Sequence, residues 1–288
     1  MNKTGKFFLY AGYTITAVIF FLYYLFPSEQ VKTHLKNSLA NTRPELELAV
    51  DLIKPVFPPG LKINQLNLAY KKKDIINFDQ LKLQPKIFTL FGSEKQLVFK
   101  GKIGKGGLTG KTSLKPTENS SEIEIEARLG AIQIKDLAAL ESLTDYQLSG
   151  ILDGKIFYKN KGLFGNGTAT LGISKGSIKF KPPFFTITKI DITKIETDLI
   201  LRNRNLDIKN CTLKSPQMNG KVAGIILLRQ PLENSILKLS GLLKPTPELI
   251  AGLKKKLPAG LFSVGLIKAK GLSFKIHGTI AKPGFSLK

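Results

Sequence analysis

Between Glu122 and Leu129 the chain alternates strictly: Ile123, Ile125, Ala127 and Leu129 are apolar, and Glu122, Glu124, Glu126 and Arg128 lie between them. That period of two is the signature of a strand with one dry and one wet face. The same rhythm recurs along the chain. Leu148, Leu152, Ile156 and Tyr158 share a face, as do Ile195, Leu199 and Leu201, then Val222, Ile226 and Leu228. Near the end Leu272, Phe274, Ile276 and Ile280 face one way, and Ser273, Lys275, His277 and Thr279 the other. No strand–helix–strand rhythm is present, so the pattern predicts an antiparallel sheet with one wet face.

Turn residues separate the runs: Lys105-Gly106-Gly107, Asn160-Lys161-Gly162, Gly165-Asn166-Gly167, Arg204-Asn205 and Asn219-Gly220. Several strands hold an internal glycine, in Leu97-Val-Phe-Lys-Gly-Lys-Ile, Leu148-Ser-Gly-Ile-Leu-Asp-Gly, Leu237-Lys-Leu-Ser-Gly-Leu-Leu and Phe274-Lys-Ile-His-Gly-Thr-Ile. Glycine inside a strand marks a bend, a bulge or a close approach, which predicts a curved sheet.

Helical signals are few. Ser28 is placed to cap a helix in which Val31, Leu35 and Leu39 recur, bounded by Pro44. A short helix is expected over Asp136–Leu143. A better one opens with Thr246-Pro247-Glu248, where Thr246 caps, Pro247 suits the first helical position and Lys254, Lys255 and Lys256 sit at the negative end.

The start of the chain breaks the alternation. Phe7 to Phe26 reads FFLYAGYTITAVIFFLYYLF, without one acidic or basic residue. Twenty residues at 1.5 Å each span roughly 30 Å, the thickness of a hydrocarbon core. Tyr10 and Tyr13 flank one end and Tyr23 and Tyr24 the other, as interfacial aromatics do; Lys3 and Lys6 precede it and orient the N-terminus to the cytoplasm. Leu25-Phe26-Pro27-Ser28-Glu29 offers no small-x-small cleavage site, so an uncleaved anchor is expected. The division is therefore 1–27 as membrane anchor and 28–288 as a β-rich periplasmic domain, with sub-halves 28–149 and 150–288.

Composition agrees with a folded chain. The 288 residues are 42% hydrophobic and 23% charged, with a single cysteine, which excludes a disordered chain and a disulfide scaffold. The net charge of +23 is uneven: residues 27–149 hold 18 basic and 14 acidic residues, whereas residues 150–288 hold 24 basic and 7 acidic. A surplus of that size points to nucleic acid or to anionic lipid. Trp is absent and only Tyr70, Tyr146 and Tyr158 lie beyond the anchor, so the stacking residues of a single-strand binder are missing. Anionic headgroups or an acidic envelope protein fit better, and the second half is expected to carry the contact.

No catalytic, cofactor-binding or metal-binding residues are assigned. Gly104 to Thr112 (GKGGLTGKT) imitates a phosphate loop, but with the required four residues between, the first-glycine position ahead of Gly110-Lys111-Thr112 is Lys105, not glycine. The segment reads as a hairpin. His34 and His277 lie in unrelated segments without carboxylates at ligand spacing. Glu122, Glu124 and Glu126 read as a solvated strand face. Cys211 has no histidine near it in sequence, and its state, buried or exposed, stays open. The chain is read as a non-enzyme.

Three segments carry a family resemblance: Met218-Asn-Gly-Lys-Val-Ala-Gly-Ile-Ile-Leu-Leu228, Leu237-Lys-Leu-Ser-Gly-Leu-Leu-Lys-Pro-Thr-Pro-Glu248 and Phe274-Lys-Ile-His-Gly-Thr-Ile-Ala-Lys-Pro-Gly-Phe-Ser-Leu287. With the anchor, they resemble the type II secretion system protein N family (GspN), and the last also resembles the close of AsmA-like envelope proteins. The resemblance implies a single-pass protein of the bacterial inner membrane, its bulk periplasmic, that serves the type II secretion apparatus through protein contacts. The alternative is an AsmA-like lipid handler that keeps acyl chains against an apolar sheet face. The expected fold is thus mainly β: a transmembrane helix, then a curved antiparallel sheet with a few short helices.

Overall fold

The computed structural model describes all residues except 1–2, 118–119, 138–145, 161–164, 185–186, 255–270 and 288. Helix α1 (Lys3–Tyr24) is followed at once by α2 (Ser28–Thr42). Strands β1 (Leu46–Val56), β2 (Gly60–Tyr70), β3 (Lys73–Pro85), β4 (Lys95–Ile103), β5 (Gly106–Thr117), β6 (Ser120–Gln133) and β7 (Tyr146–Asn160) come next. Then follow β8 (Gly165–Phe184), β9 (Ile187–Arg202), β10 (Asn205–Lys214), β11 (Met218–Leu227) and β12 (Ile236–Pro245). A third helix, α3 (Pro247–Lys254), precedes β13 (Leu272–Gly278) and β14 (Pro283–Leu287).

All fourteen strands form one antiparallel sheet in sequence order, each paired with its neighbours in the chain, and β1 and β14 are its edges. The expected mainly-β, antiparallel, curved sheet is what the chain folds into. Its curvature shows in the burial of the two faces. Ile156, Ala169, Leu199 and Val222 are half-buried although no strand layer packs on them, whereas Lys155, Thr170, Asp198 and Lys221 on the reverse side are exposed. A flat single layer would wet both faces alike, so the sheet bends toward its apolar side.

Bulges keep that side apolar. In β2 the apolar residues are Leu61 and Ile63, then Leu66 and Leu68; the parity changes at Gln65, which takes φ +47°. Ala131, at φ +51°, does the same in β6 between Leu129 and Ile132, and its N–H is pinned by Asp153 Oδ1 at 2.9 Å. Lys175, at φ +50°, shifts β8 between Ile173 and Ile178. Gly150 lies opposite that bulge at φ +139°, where a Cβ would meet Ile173 Cγ2 at 2.8 Å. At Ala131 and Lys175 an extra residue inverts the phase of the alternation and restores the next apolar side chain to the dry face, whereas at Gln65 the parity changes with the register unshifted.

The first edge is capped. Along β1, Ser28 Oγ donates to the Ile53 carbonyl at 2.6 Å, Lys32 Nζ to the Asp51 carbonyl at 3.0 Å and Tyr23 Oη to the Val56 carbonyl at 2.7 Å. Ser28 therefore does not cap its own helix as expected from sequence; its hydroxyl ties the helix to the strand instead. Phe26, Val31 and Leu35 pack on Val50, Ile53 and Ile63, the principal buried cluster.

Other expectations divide. Thr246 does cap α3, its Oγ1 accepting from the Leu249 N–H at 3.5 Å. Lys254 ends that helix, and Lys255 and Lys256 lie outside the described residues. The helix expected over Asp136–Leu143 is a 3₁₀ turn at Ile134–Asp136 as far as residue 137, the rest lying outside the described residues. Arg204-Asn205 borders the β9–β10 turn, but Gly165-Asn166-Gly167 begins β8 and Asn219-Gly220 lies within β11. In both segments glycine serves the sheet rather than a turn: Gly167 faces Tyr158 and Gly220 faces Leu243, so the small residue leaves room for a large one across the pair.

Ile53 is 1% exposed beneath α2, and truncating it leaves a cavity the helix cannot fill. Ile53→Ala is expected to lower stability by about 2–5 kcal/mol in urea denaturation of the detergent-solubilised chain. Ile225→Ala, on the polar face, is expected to cost less than about 1 kcal/mol; equal losses would contradict the assignment of faces.

Candidate functional site

The dry face is continuous. Across the register Leu83 faces Phe99, Phe99 faces Gly110, Gly110 faces Ala127, Ala127 faces Ile156, and Ile156 faces Ala169. Ala169 then faces Leu199, Leu199 faces Ile208, Ile208 faces Gly224, Gly224 faces Leu239, Leu239 faces Ile276, and Ile276 faces Phe285. The neighbouring row runs Leu81, Gly101, Leu108, Leu129, Gly154, Leu171, Thr197, Cys211, Val222, Gly241, Phe274 and Leu287. Neither row contains a charged residue. With strands about 4.8 Å apart, twelve of them carry this strip over roughly 50 Å.

Glycines on the strip make room for aromatic neighbours. A Cβ at Gly101 would lie 2.6 Å from Phe78 Cε1, and Gly110 and Gly241 are covered by Phe99 and Phe274 in the same way. Phe274 in turn stacks on Phe285, with centroids 5.4 Å apart. The recurring strand-with-glycine segments thus do different jobs: Gly101 and Gly241 seat rings, Gly150 answers a bulge, and Gly278 ends β13 at φ +87°.

Among the described residues, α2 covers only the β1 end of the strip, and α3 buries Ile250. From β4 onward the strip is an apolar trough, half-buried along most of its length, buried at Gly101, Ala127 and Phe274 and exposed at Phe285 and Leu287. Such a surface excludes water incompletely, and Thr197 and Cys211 are the polar members of its two rows.

Cys211 sits in the trough, half-buried, with Val222 and Thr197 opposite it. Burial pushes its thiol above the ordinary range, and a hydrogen bond with Thr197 only partly offsets that. The open question of its state is answered on the apolar side.

The reverse face is electrostatic. Lys54 faces Lys62, Lys62 faces Lys82, Lys82 faces Lys100, Lys100 faces Thr109, Thr109 faces Arg128, and Arg128 faces Lys155. The row ends where Lys155 faces Thr170, whose hydroxyl donates to Asp198 Oδ1 at 3.0 Å. Like charges set directly opposite across strands repel. This row lies mainly in the first half, although residues 150–288 hold most of the net charge. Three lysines of the second half have acid partners: Lys189, Lys194 and Lys209 pair with Asp191, Glu196 and Asp207. Lys189 and Lys194 hold the Asp191 and Glu196 carboxyls below their usual range.

The sequence decoys resolve in the same terms. Glu122, Glu124 and Glu126 form ion pairs, the first two with Lys159 and the third with Lys111 at 2.9 Å; these carboxylates raise both ammonium groups above the ordinary lysine value. Gly104 and Lys105 are the β4–β5 turn, and the Gly104 N–H, which a phosphate would need, donates to Asp79 Oδ2 at 2.9 Å. His34 lies in α2, and His277 is exposed beside Lys275 on β13. Among the described residues no group of three His, Cys, Asp or Glu is arranged to hold a metal. A depression of about 710 Å³ lies on the charged side, with Lys214, Lys221 and Lys244 around Glu196.

Sequence reasoning named no site residues; it offered an apolar sheet face as an alternative but could not have given the residues that line it. The signal was present in each strand, but the rows exist only once bulges set the register. Among the described residues no helix is long and apolar enough to cross a membrane; Ile15, Ile19 and Leu22 of α1 have side chains outside the described set. Comparison of the chain with family models, curated proteins and solved structures finds no match.

The single thiol offers a direct check. At pH 7.5 iodoacetamide is expected to modify Cys211 several-fold more slowly than a free cysteine, because a raised pKa leaves less thiolate. Modification at the free-cysteine rate would place the thiol outside the trough.

Proposed function

We propose that this chain is a membrane-anchored periplasmic lipid handler whose curved sheet holds acyl chains along its apolar face. The observation that carries this is the charge-free double row from β3 to β14, most of it only half-buried, with α2 packed at its β1 end. A one-sided sheet must cover its dry face with helices, a second sheet or a ligand. The helices described here cover one end. Acyl chains suit the remainder because they fill an uneven apolar surface without asking it for hydrogen bonds. The chemistry is binding and not bond-making.

The anchor in this proposal is α1. At 1.5 Å per residue its 22 residues reach about 33 Å. Phe7, Phe8, Tyr10, Tyr13, Val18, Phe20, Phe21 and Tyr24 are all exposed on it, and the stretch Phe7–Phe26 carries no charge. Lys3 and Lys6 set the cytoplasmic end.

Photo-crosslinking in cells tests the trough. Benzoyl-phenylalanine placed at Leu171 or Leu199 is expected to yield phospholipid adducts detectable by mass spectrometry, and the same group at Lys155 on the charged face is expected to yield none. Adducts to protein alone, or equal lipid labelling from both faces, would contradict the proposal.

A second reading, an accessory of the type II secretion apparatus acting through protein contacts, is favoured by the unpaired edge of β14. Among the described residues that five-residue strand has no neighbour on its outer side in the sheet, and a partner strand can extend such an edge. Deleting the gene would then abolish export of folded proteins with outer-membrane permeability unchanged; normal export in the deletion strain would exclude this role.

A further inference from the structure

The turns at the two ends of the sheet differ. In an antiparallel meander the turns after odd-numbered strands all emerge at one end and those after even-numbered strands at the other. Among the described residues, the large apolar side chains exposed at turn tips are Phe57 between β1 and β2, Ile87, Phe88, Leu90 and Phe91 between β3 and β4, and Leu232 between β11 and β12. All six lie at the odd-turn end. At the opposite end the described turns present Lys71 and Lys72, Gly104 and Lys105, and Ser215 to Gln217, and in the β6–β7 and β12–β13 connections Ile134, Leu137, Leu249 and Ile250 are buried or half-buried.

The exposure is extreme for aromatic residues: 80% for Phe57, 96% for Phe88 and 92% for Phe91. Nor is the β3–β4 turn loosely formed. Thr89 N–H and Oγ1 both donate to the Lys86 carbonyl, at 2.8 and 2.7 Å, and Thr89 Oγ1 accepts from the Gln96 N–H at 3.0 Å. A hydrogen-bonded turn thus holds two phenylalanines outward.

The same end is where α1 arrives. Tyr23 Oη bonds the Val56 carbonyl, one residue before Phe57, and Phe26 packs in the first core cluster. Cations flank the tips: Lys54 and Lys62 lie beside the first turn, and Lys86 and Lys95 bracket the second. Aromatic tips backed by lysines match the boundary between headgroup and acyl layers of an anionic bilayer.

We propose that the odd-numbered turns form a docking rim that seats the sheet on the surface of the bilayer holding α1, with Phe57, Phe88 and Phe91 inserted at the interface and Lys54, Lys62, Lys86 and Lys95 against anionic headgroups. The orientation rests on α1 being the anchor, as proposed above; it does not require that the trough carry lipid. The strands then stand on the membrane, and the polar Lys71-Lys72 and Gly104-Lys105 turns point away from it.

The chain contains no Trp, so single-tryptophan variants report position without background. The full chain is reconstituted into vesicles of phosphatidylethanolamine and phosphatidylglycerol containing lipids brominated near the carbonyl end. Phe57→Trp and Phe88→Trp are expected to emit at blue-shifted wavelengths and to be quenched at least two-fold. Lys105→Trp, at the opposite end, is expected to emit as a hydrated indole without quenching. Hydrated, unquenched emission from both Phe57→Trp and Phe88→Trp would overturn the rim, including the case in which the tips are covered by another protein in the cell. Phe20→Trp, read with lipids brominated deep in the chain, reports the anchor separately: quenching there with dry tips sinks the rim alone, and no quenching there sinks the anchor reading. The tip residues touch no core, and unchanged far-ultraviolet circular dichroism confirms that each variant is folded.

Discussion

Everything in this molecule depends on keeping one side of a very wide sheet apolar. Side chains alternate with a period of two, so one uncorrected slip would send lysines into the trough and leucines to the outer surface. Fourteen strands of unequal length accumulate such slips. Ala131 and Lys175 absorb them as bulges at positive φ, and Gln65 takes the same conformation where the parity of β2 changes without a register shift. Correcting the phase also bends the strand, since a bulge increases local twist. Curvature and continuity of the dry face therefore have one origin.

The two edges are treated differently. An uncapped edge strand is a template for further pairing. At β1, side chains of Tyr23, Ser28 and Lys32 occupy the carbonyls of Val56, Ile53 and Asp51, which closes that edge and fixes α2 against the sheet. At β14 the strand is short and starts at Pro283, which has no N–H to offer. On the wet face, carboxylates neutralise lysines strand by strand around Glu122, Glu124 and Glu126, but the row from Lys54 to Lys155 has no acid in it. Its mutual repulsion is tolerable because the side chains are long, mostly exposed and screened by salt. That repulsion also falls whenever an anionic surface approaches.

Local pattern made much of this legible. The alternation of Ile123, Ile125, Ala127 and Leu129 against three glutamates and an arginine placed β6 and its faces correctly, and Thr246-Pro247-Glu248 marked the start of α3. Long-range facts were not legible. Ser28 has the right chemistry for a helix cap, yet the free carbonyl of Ile53, twenty-five residues away, claims its hydroxyl. Asn219-Gly220 has turn composition, but Leu243 on the facing strand needs the space that Gly220 leaves. The lysine row was hidden for the same reason: Lys54, Lys62, Lys82 and Lys100 are scattered in sequence and adjacent only through register.

The trough is the central claim, and Cys211 is the natural place to measure it, as the one thiol in the chain and a member of the apolar row. A nitroxide attached there in the full chain, reconstituted in lipid vesicles, reports local polarity and collision with relaxing agents. The expected result is a hydrocarbon-like hyperfine splitting, with relaxation by dissolved oxygen exceeding that by a water-soluble nickel chelate. A water-like splitting with ready access of the chelate would mean that the face is wet, and the account of this sheet as a holder of acyl chains would be wrong.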